Sequence, residues 1–324
     1  MNDNILCSIS TRGRYDTTLP LALQSIIMQT KKIDKLVIFD DNDYPQDVRN
    51  DNIYKNIFMI LDSKGINWEW VFADKKGTHY NHQKANLMGY KWVWRMDDDV
   101  IAEPDVLEKL FEHIDEDVGA IGGSILTPPF QKGLISSGKI ENINLEQNIQ
   151  WDYIDSIKYI DHLHCSFLYR AGVYDYNLML SKVAHREETL FTYGLKQRGY
   201  KILAVPCVNW HLKYSVGGIR DCKQDLFMHD ERIFQETINL KNNTIVILDC
   251  GMGDHLVFKH MMLDIKNPII FSCYPEIVPG KSIKEAKDLF GDGIEYYNIY
   301  RKMDEWNWKM SLEDAYRRLY VGIS

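Results

Sequence analysis

Apolar residues fall along the first two thirds of the chain in short blocks, each closed by polar residues. Residues 4–9 form a β-type run that opens into Ser10-Thr11-Arg12-Gly13-Arg14, a polar and basic loop. Leu19, Leu23, Ile26 and Ile27 then recur at helical spacing. Residues 35–39 (KLVIF) are continuously apolar, as a parallel strand covered on both faces should be, and end in Asp40-Asp41-Asn42-Asp43. Residues 44–67 read as a poorly patterned helix and loop, and residues 68–73 (WEWVFA) as a third strand. His79, Asn81, His82, Lys84 and Asn86 surround a short helix in residues 77–89. In residues 91–104, KWVWRMDDDVIAEP, the strand Trp92-Val93-Trp94 runs into Asp97, Asp98 and Asp99. A helix is predicted from Glu103-Pro104, because proline at a first-turn position gives up no hydrogen bond.

The same alternation continues. Residues 118–126 (VGAIGGSIL) predict a strand whose glycine pair allows close backbone approach. Residues 127–160 are irregular, and a loop of that length within a compact domain predicts a functional insertion. Residues 164–169 (HCSFLY) read as a strand. Glu187 and Glu188 open a helix that ends near residues 196–199, with basic residues and glycine at its C-terminus. Residues 201–205 (KILAV) form a strand closed by Pro206, which leaves His211 on a turn. Residues 220–243 read as a helix and polar linker. A second α/β unit then begins with the strand 244–250 (TIVILDC), the turn Gly251-Met252-Gly253-Asp254-His255 and a helix over 256–262. A strand over 269–273 and helices over 282–290 and 311–320 follow, the last opened by a Ser311–Asp314 capping pair. Strands alternating with helices, each delivering polar residues at its C-end, predict an α/β fold with a mostly parallel central sheet. The expected division is a domain over 1–220, a helical linker over 221–243 and a small α/β accessory domain over 244–324.

Composition narrows the class. The chain has 324 residues, 45% hydrophobic and 26% charged, with a net charge of −8. These are the proportions of a soluble globular protein. The acidic total, with no long block of like charge, argues against a general nucleic-acid binder. No stretch approaches eighteen uninterrupted apolar residues, so no membrane span is expected. MNDNILCSIS lacks a basic region and a long apolar core, and reads as the first strand rather than a signal peptide. Six cysteines without a CxxC pair predict buried thiols in a reducing, cytoplasmic compartment.

The candidate chemistry centres on the acidic triplet. Three adjacent carboxylates at the end of a buried strand repel, and a divalent cation with oxygen ligands offsets that repulsion. Asp97 and Asp99 are two apart, so on extended chain they share a side. Such a pair can hold Mg²⁺ or Mn²⁺ that also grips a substrate diphosphate; a solvated acidic turn is the plain alternative. Asp40 and Asp41, at the carboxyl end of a parallel strand, point to the crevice where ligands bind in open α/β sheets. Arg12 and Arg14 suit phosphates or plain surface. Glu187 and Glu188 also fit an ordinary acidic helix N-terminus, and His211 a structural turn.

Four pieces in order carry a resemblance: CSISTRGRYDTTLPLALQSIIMQT, KLVIFDDND, KANLMGYKWVWRMDDDV and HREETLFTYGLKQRGYKILAVPCVNWH. Together, over residues 4–212, they resemble the family-2 glycosyltransferases, which have a GT-A fold. The resemblance implies a metal-dependent, inverting transferase that takes a sugar from a nucleotide-diphosphate donor, UDP-sugar favoured, with Mn²⁺ or Mg²⁺ as cofactor. By position it implies that Asp41 or Asp40 reads the nucleobase and that Ser10, Thr11 and Arg12 line the nucleotide pocket. Lys84 would lie near the base or diphosphate. Asp97 and Asp98 would face ribose and metal, Asp99 would be the main metal carboxylate, and His211 a further ligand. Glu188 aligns with the catalytic base, Glu187 beside it; the family usually has Asp there, which leaves the choice between them open. The chemistry fits. Sugar transfer passes through an oxocarbenium-like state, a carboxylate can take the acceptor proton, and a metal can neutralise the departing diphosphate.

An acceptor glycan, lipid-linked saccharide, protein or modified nucleobase all suit such an enzyme, and the 127–160 insertion would then lie on the acceptor side. The GMGDHL turn resembles heptosyltransferase-like GT-B proteins, and the C-terminal unit is expected to serve packing, homo-oligomer formation or acceptor positioning. A sugar-nucleotidyltransferase would open on a glycine-rich basic loop, whereas STRGR has one glycine. A non-catalytic sugar- or nucleotide-binding protein on the same scaffold is the third reading.

Overall fold

The computed structural model describes residues 4–127, 137–138, 154–212, 224–242, 244–248, 268–272 and 295–298. Contacts divide the chain into a first unit, Met1–Ile238, and a second, Asn239–Ser324.

The first unit is built on one sheet. Strands β1 (Ile5–Thr11), β2 (Lys35–Asp40), β3 (Asn67–Phe72) and β4 (Trp92–Asp97) pair in parallel, in the order β3-β2-β1-β4. The sheet continues through β10 (Ser166–Arg170), β6 (Val118–Leu126), β11 (Lys201–His211) and β5 (Val100–Ala102). β6 and β11 are parallel to each other, while β10 runs antiparallel between β4 and β6. The short β8 (Lys158–Tyr159) pairs β11, and β7 (Ser137–Gly138) pairs β9 (His162–Leu163) in a separate ribbon.

Strand periodicity sorts the core into two layers. Ile5, Cys7 and Ile9 of β1 and Trp92, Trp94 and Met96 of β4 face one way. There they meet α1 (Leu19–Ile27), α2 (Asn52–Ser63) and α4 (Val106–Phe111). Leu6 and Val93 face the other way, with Phe167 and Tyr169 of β10, towards α3 (Thr78–Asn86) and α5 (Glu187–Gln197). Full burial of each such large apolar side chain contributes about 2–3 kcal/mol, so the two faces of β4 hold the layers together. α1 buries Leu19, Leu23, Ile26 and Ile27, as its spacing predicts. α2 is more regular than the sequence suggests. Tyr54, Ile57, Phe58 and Leu61 make a clean stripe, obscured by Ile53, Met59 and Ile60 on the exposed side.

Two boundaries differ from expectation. Glu103-Pro104 does not open a helix; the chain first forms β5, and α4 starts at Val106. Pro206 does not close β11, which continues to His211. The register shifts between Ala204 and Val208, and this bulge accommodates the missing N–H of an exposed proline. Gly123 faces the bulge, where an added Cβ would lie 2.5 Å from the Cys207 carbonyl oxygen.

α6 (Gln224–Asn242), expected within a linker, packs on the first unit up to Ile238. Ile233, Phe234 and Ile238 form a small core with Leu180, Leu190 and Tyr193. Beside it, Glu231 Oε2 lies 3.0 Å from His185 Nε2 and 3.3 Å from Arg186 Nε, and Oε1 accepts from Gln235 at 3.3 Å. The second unit contains a parallel sheet, β12-β13-β14 (Thr244–Leu248, Pro268–Ser272, Glu295–Asn298), whose first two strands were expected. The GMGDHL turn and the C-terminal helices lie outside the described residues, as does most of the 127–160 loop.

Gly123→Ala should lower the free energy of unfolding by about 2 kcal/mol, since its new methyl meets the Cys207 backbone as well as its Sγ, and the backbone cannot swing aside. A urea titration showing no loss would contradict the close approach. A second expectation concerns acid. The hydrogen bond from His185 holds Glu231 down at about 2 against the opposing effect of burial, with Arg186 adding. Its folded pKa is depressed, so the stabilisation is complete above an ordinary glutamate pKa of 4.5 and is lost as pH falls towards 2. The amount is on the order of 2 kcal/mol. In Glu231→Gln that part of the pH dependence should vanish from the unfolding curve.

Candidate active site

The carboxyl ends of β1, β2 and β4 meet at one edge of the sheet. Ser10 lies in register with Asp97 across β1 and β4, and Thr11 with Asp40 across β1 and β2. Alternation along β2 parts the two aspartates that follow Phe39. Asp40 accepts from the Tyr15 hydroxyl and from the Asn42 amide. Asp41 takes the Gly77 N–H at 2.9 Å and the Asn81 amide at 3.2 Å on Oδ1, while its Oδ2 has Arg12 at 3.8 Å. The Asn81 amide also reaches Ser10 Oγ at 2.9 Å. Burial raises the Asp41 pKa, against these donors. Arg12 donates to the Asp41 carbonyl at 2.7 Å and pairs with Asp43, and the Gly13 N–H binds Asn42 Oδ1 at 2.7 Å. The basic loop and the DDND loop are therefore stitched into one wall.

The acidic triplet forms a turn between β4 and β5. Asp98 accepts from Thr11 Oγ1 at 2.8 Å and the Arg12 N–H at 3.2 Å, and pairs with Arg14. Arg14 also reaches Asp99 at 2.9 Å. Val100 is paired with His211 across β5 and β11, and the Leu212 N–H binds the Asp99 carbonyl at 2.9 Å. That pairing brings His211 Nε2 to 3.4 Å from Asp99 Oδ2. Burial raises Asp98 to about 6, with Arg14 opposing. Burial would raise Asp99 too, but His211 and Arg14 outweigh it and its pKa falls.

The residue that joins this turn to α5 is Arg95. On β4 it shares a face with Val93 and Asp97, opposite Trp92, Trp94 and Met96, and it is 2% exposed. Its guanidinium pairs with Asp97 at 2.9 Å, with Glu187 at 2.6 Å, and with Glu188. Glu188 is further held by the Cys165 N–H at 2.6 Å and by His164 Nδ1 at 3.0 Å. Cys165 sits at φ 55, and its carbonyl accepts the Asp97 N–H at 2.8 Å. A left-handed non-glycine residue between two acidic elements is strain of the kind that collects at functional sites. Burial raises Glu187 to about 8, with Arg95 opposing. Burial acts on Glu188 in the same direction, but Arg95, His164 and the Cys165 N–H hold it down at about 2. Burial raises Asp97 to about 7, with Arg95 opposing and Glu188 and Asp99 adding to the rise.

The cluster suits a cation. Asp97, Asp98, Asp99, Glu187 and Glu188 outnumber the guanidiniums of Arg14 and Arg95 that pair with them. Among the described residues, ligand atoms of Asp97, Cys165 and Glu188 lie within 4.8 Å of one another. Burial keeps the Cys165 thiol protonated, so for a hard cation the carboxylates are the better ligands. Of the expected metal set, Asp99 and His211 meet, while Asp97 turns to Arg95. Ser10, Thr11, Arg12, Asp41 and Asp98 are brought together. Asp40 and Lys84 are not in this group. Asp40 points to Tyr15, and Lys84, 40% exposed, pairs with Asp74 at 2.6 Å. Arg95, His164 and Cys165 join the cluster, as do Arg14 of the basic loop and Asn81 of the short helix. For Arg95 a signal was present, a single charge within WVWRM, since a charge in a buried strand needs a partner.

A mostly parallel, curled sheet with an acidic site at the carboxyl ends of its strands fits a GT-A-like fold. The sequence model of glycosyl transferase family 2 matches residues 9–176, just over half of the chain. The chain belongs to that family. The match includes the nucleotide wall and the acidic triplet; Glu187, Glu188 and His211 lie beyond it. No curated protein matches the chain. Family membership supports glycosyltransferase activity with a nucleotide-sugar donor. No described helix is long and apolar enough to cross a membrane, and the described cysteines Cys7, Cys165 and Cys207 are free thiols.

Arg95→Met should destabilise the protein by about 3–5 kcal/mol, because it leaves buried carboxylates without a counter-charge. Glu187→Gln, which replaces a carboxyl that already holds its proton near neutral pH and keeps an oxygen for Arg95, should cost less. Urea unfolding compares them, and a loss below about 1 kcal/mol in Arg95→Met would remove Arg95 from its central role.

Proposed function

We propose that the protein is a metal-dependent, inverting glycosyltransferase that moves a sugar from a nucleotide-diphosphate donor, a UDP-sugar in the favoured case, to an acceptor hydroxyl. The observation that carries this reading is the meeting of Asp97, inside the family-2 match, with Glu187 and Glu188, just beyond its end, on one buried guanidinium. Acid groups for a cation and a carboxylate for an acceptor proton then share one cleft.

Glu188 is the general base in this reading. A base must be ionised and within reach. Glu187 is sealed under Arg95 and holds its proton into the neutral range, whereas Glu188 is ionised and more open. A carboxylate so well supplied with donors is a weak base at rest. The acceptor hydroxyl acidifies as its oxygen bonds to the anomeric carbon, so the proton moves late in the displacement. Arg95 keeps Glu188 and Asp97 apart in charge while holding them together in space.

On the donor side, Asp41 Oδ2 is the acceptor for a nucleobase N–H, supported by an Oδ1 already filled by Gly77 and Asn81. Ser10, Thr11 and Arg12 line the nucleotide, and Asp98, fixed by Thr11 and Arg14, shapes the ribose side. Mn²⁺ or Mg²⁺, held by Asp99 with His211 and Asp97, would neutralise charge on the departing diphosphate.

Binding is the first test. Thermal unfolding with a panel of UDP-, GDP- and CMP-sugars, with and without Mn²⁺, should show a metal-dependent rise for one nucleotide class, lost in Asp99→Ala. No shift with any donor would count against the transferase reading. In transfer assays, Glu188→Gln should lower turnover by roughly 10²–10⁴-fold while donor binding persists. Unaltered turnover would move the base elsewhere.

A further inference from the structure

Helix α6 supplies no group to the proposed chemistry, yet its polar side chains converge on the turn that launches α5. Phe227, Asp230, Glu231 and Phe234 recur at helical spacing and share one face. The Phe227 ring lies 3.9 Å from that of His185, and Arg186 sits over the Phe234 ring at 5.2 Å. Asp230, fully buried, accepts the Ser181 N–H at 2.6 Å, the Ser181 hydroxyl at 2.9 Å and the His185 N–H at 2.8 Å. Glu231 faces the side chains of His185 and Arg186.

The backbone there is unusual. Ala184 has φ 53 and Arg186 φ 65, two left-handed non-glycine residues on either side of His185. Arg186 is the N-cap of α5, and Glu187 and Glu188 follow it directly. Neither residue favours that conformation, so it persists only when its surroundings impose it. Asp230 does so by binding the amide between the two residues, and Glu231 by fixing both side chains. The apolar core of α6 with Leu190 and Tyr193 would dock the helix without any of these polar groups.

We infer that Asp230 and Glu231 are positioning residues for the base, holding the turn at residues 181–186 so that α5 aims Glu188 at the acidic cleft. This rests on the transferase reading above. A small rotation of the first turn of α5 would carry Glu188 off Arg95, His164 and the Cys165 N–H, and misplacement of a reacting group by about 1 Å can cost on the order of 10²-fold in rate.

The test uses the full chain with the UDP-, GDP- and CMP-sugar panel and Mn²⁺, with water as the acceptor, reading donor hydrolysis as released nucleotide. Asp230→Ala and Glu231→Ala should lower kcat by about 10- to 100-fold. The donor KM and the Mn²⁺-dependent thermal shift should hardly change. Amide exchange over residues 184–190 should quicken. Glu231→Gln gives up the charge but keeps an acceptor oxygen; it should lose stability yet recover most of the turnover. Should Asp230→Ala fail to fold, the Glu231→Ala and Glu231→Gln pair decides. Folded variants with wild-type kcat would overturn the inference, even if exchange quickened, and so would a Glu231→Gln no better than Glu231→Ala. A wild-type protein that releases nucleotide from no donor would instead overturn the transferase reading, and the inference with it.

Discussion

One buried guanidinium sets the terms for this molecule. Arg95 stands in a strand whose other face is packed with Trp92, Trp94 and Met96, and it has no route to water. A charge in that position must be met by fixed partners, and three carboxylates meet it, Asp97 on its own strand and Glu187 and Glu188 at the start of α5. Those same carboxylates could not be crowded together without it. The arrangement contributes less to net stability than to selection: any packing of α5 that parts Glu187 from Arg95 strands a buried charge.

The sheet supplies the geometry this pairing needs. β10, antiparallel among parallel neighbours, returns the chain so that the Cys165 backbone stands against the end of β4. From there its N–H and carbonyl tie Glu188 and Asp97 to one residue. On the other flank, β5 and the bulged end of β11 fold the acidic turn against His211. The nucleotide wall is braced by a different device, ordinary hydrogen bonds between two loops whose carboxylates and amides satisfy one another.

Much of this was legible in the sequence because the relevant signals are local. A continuous apolar run that ends in polar or acidic residues is visible wherever it occurs, so β1, β2, β4 and the acidic triplet are readable from the sequence. The helix opened by Glu187 and Glu188 was found the same way. What escaped depended on partners far along the chain. Even at ten positions no local pattern announces that Asp74 will hold Lys84, and at 25 none announces that Tyr15 will hold Asp40. Pro206 looked like a stop because its missing N–H is a local fact, whereas the bulge that tolerates it is set by β6. The role of α6 was hidden for the same reason: Asp230 and Glu231 are unremarkable on a polar helix until Ser181, His185 and Arg186 are placed beside them.

The span of the Arg95–Glu187 pair carries a consequence for how the protein is made. The partners are 92 positions apart. At a synthesis rate of about 5–20 residues per second, β4 waits roughly 5–20 seconds for the carboxylates that neutralise its guanidinium. Until then the strand cannot bury that face without stranding a charge. The parallel half of the sheet is therefore complete in sequence well before it can close. The long-range pairing at the site can form only after α5 is made, and a nascent chain held before that point leaves the Val93–Arg95 face of β4 open to whatever surface is near.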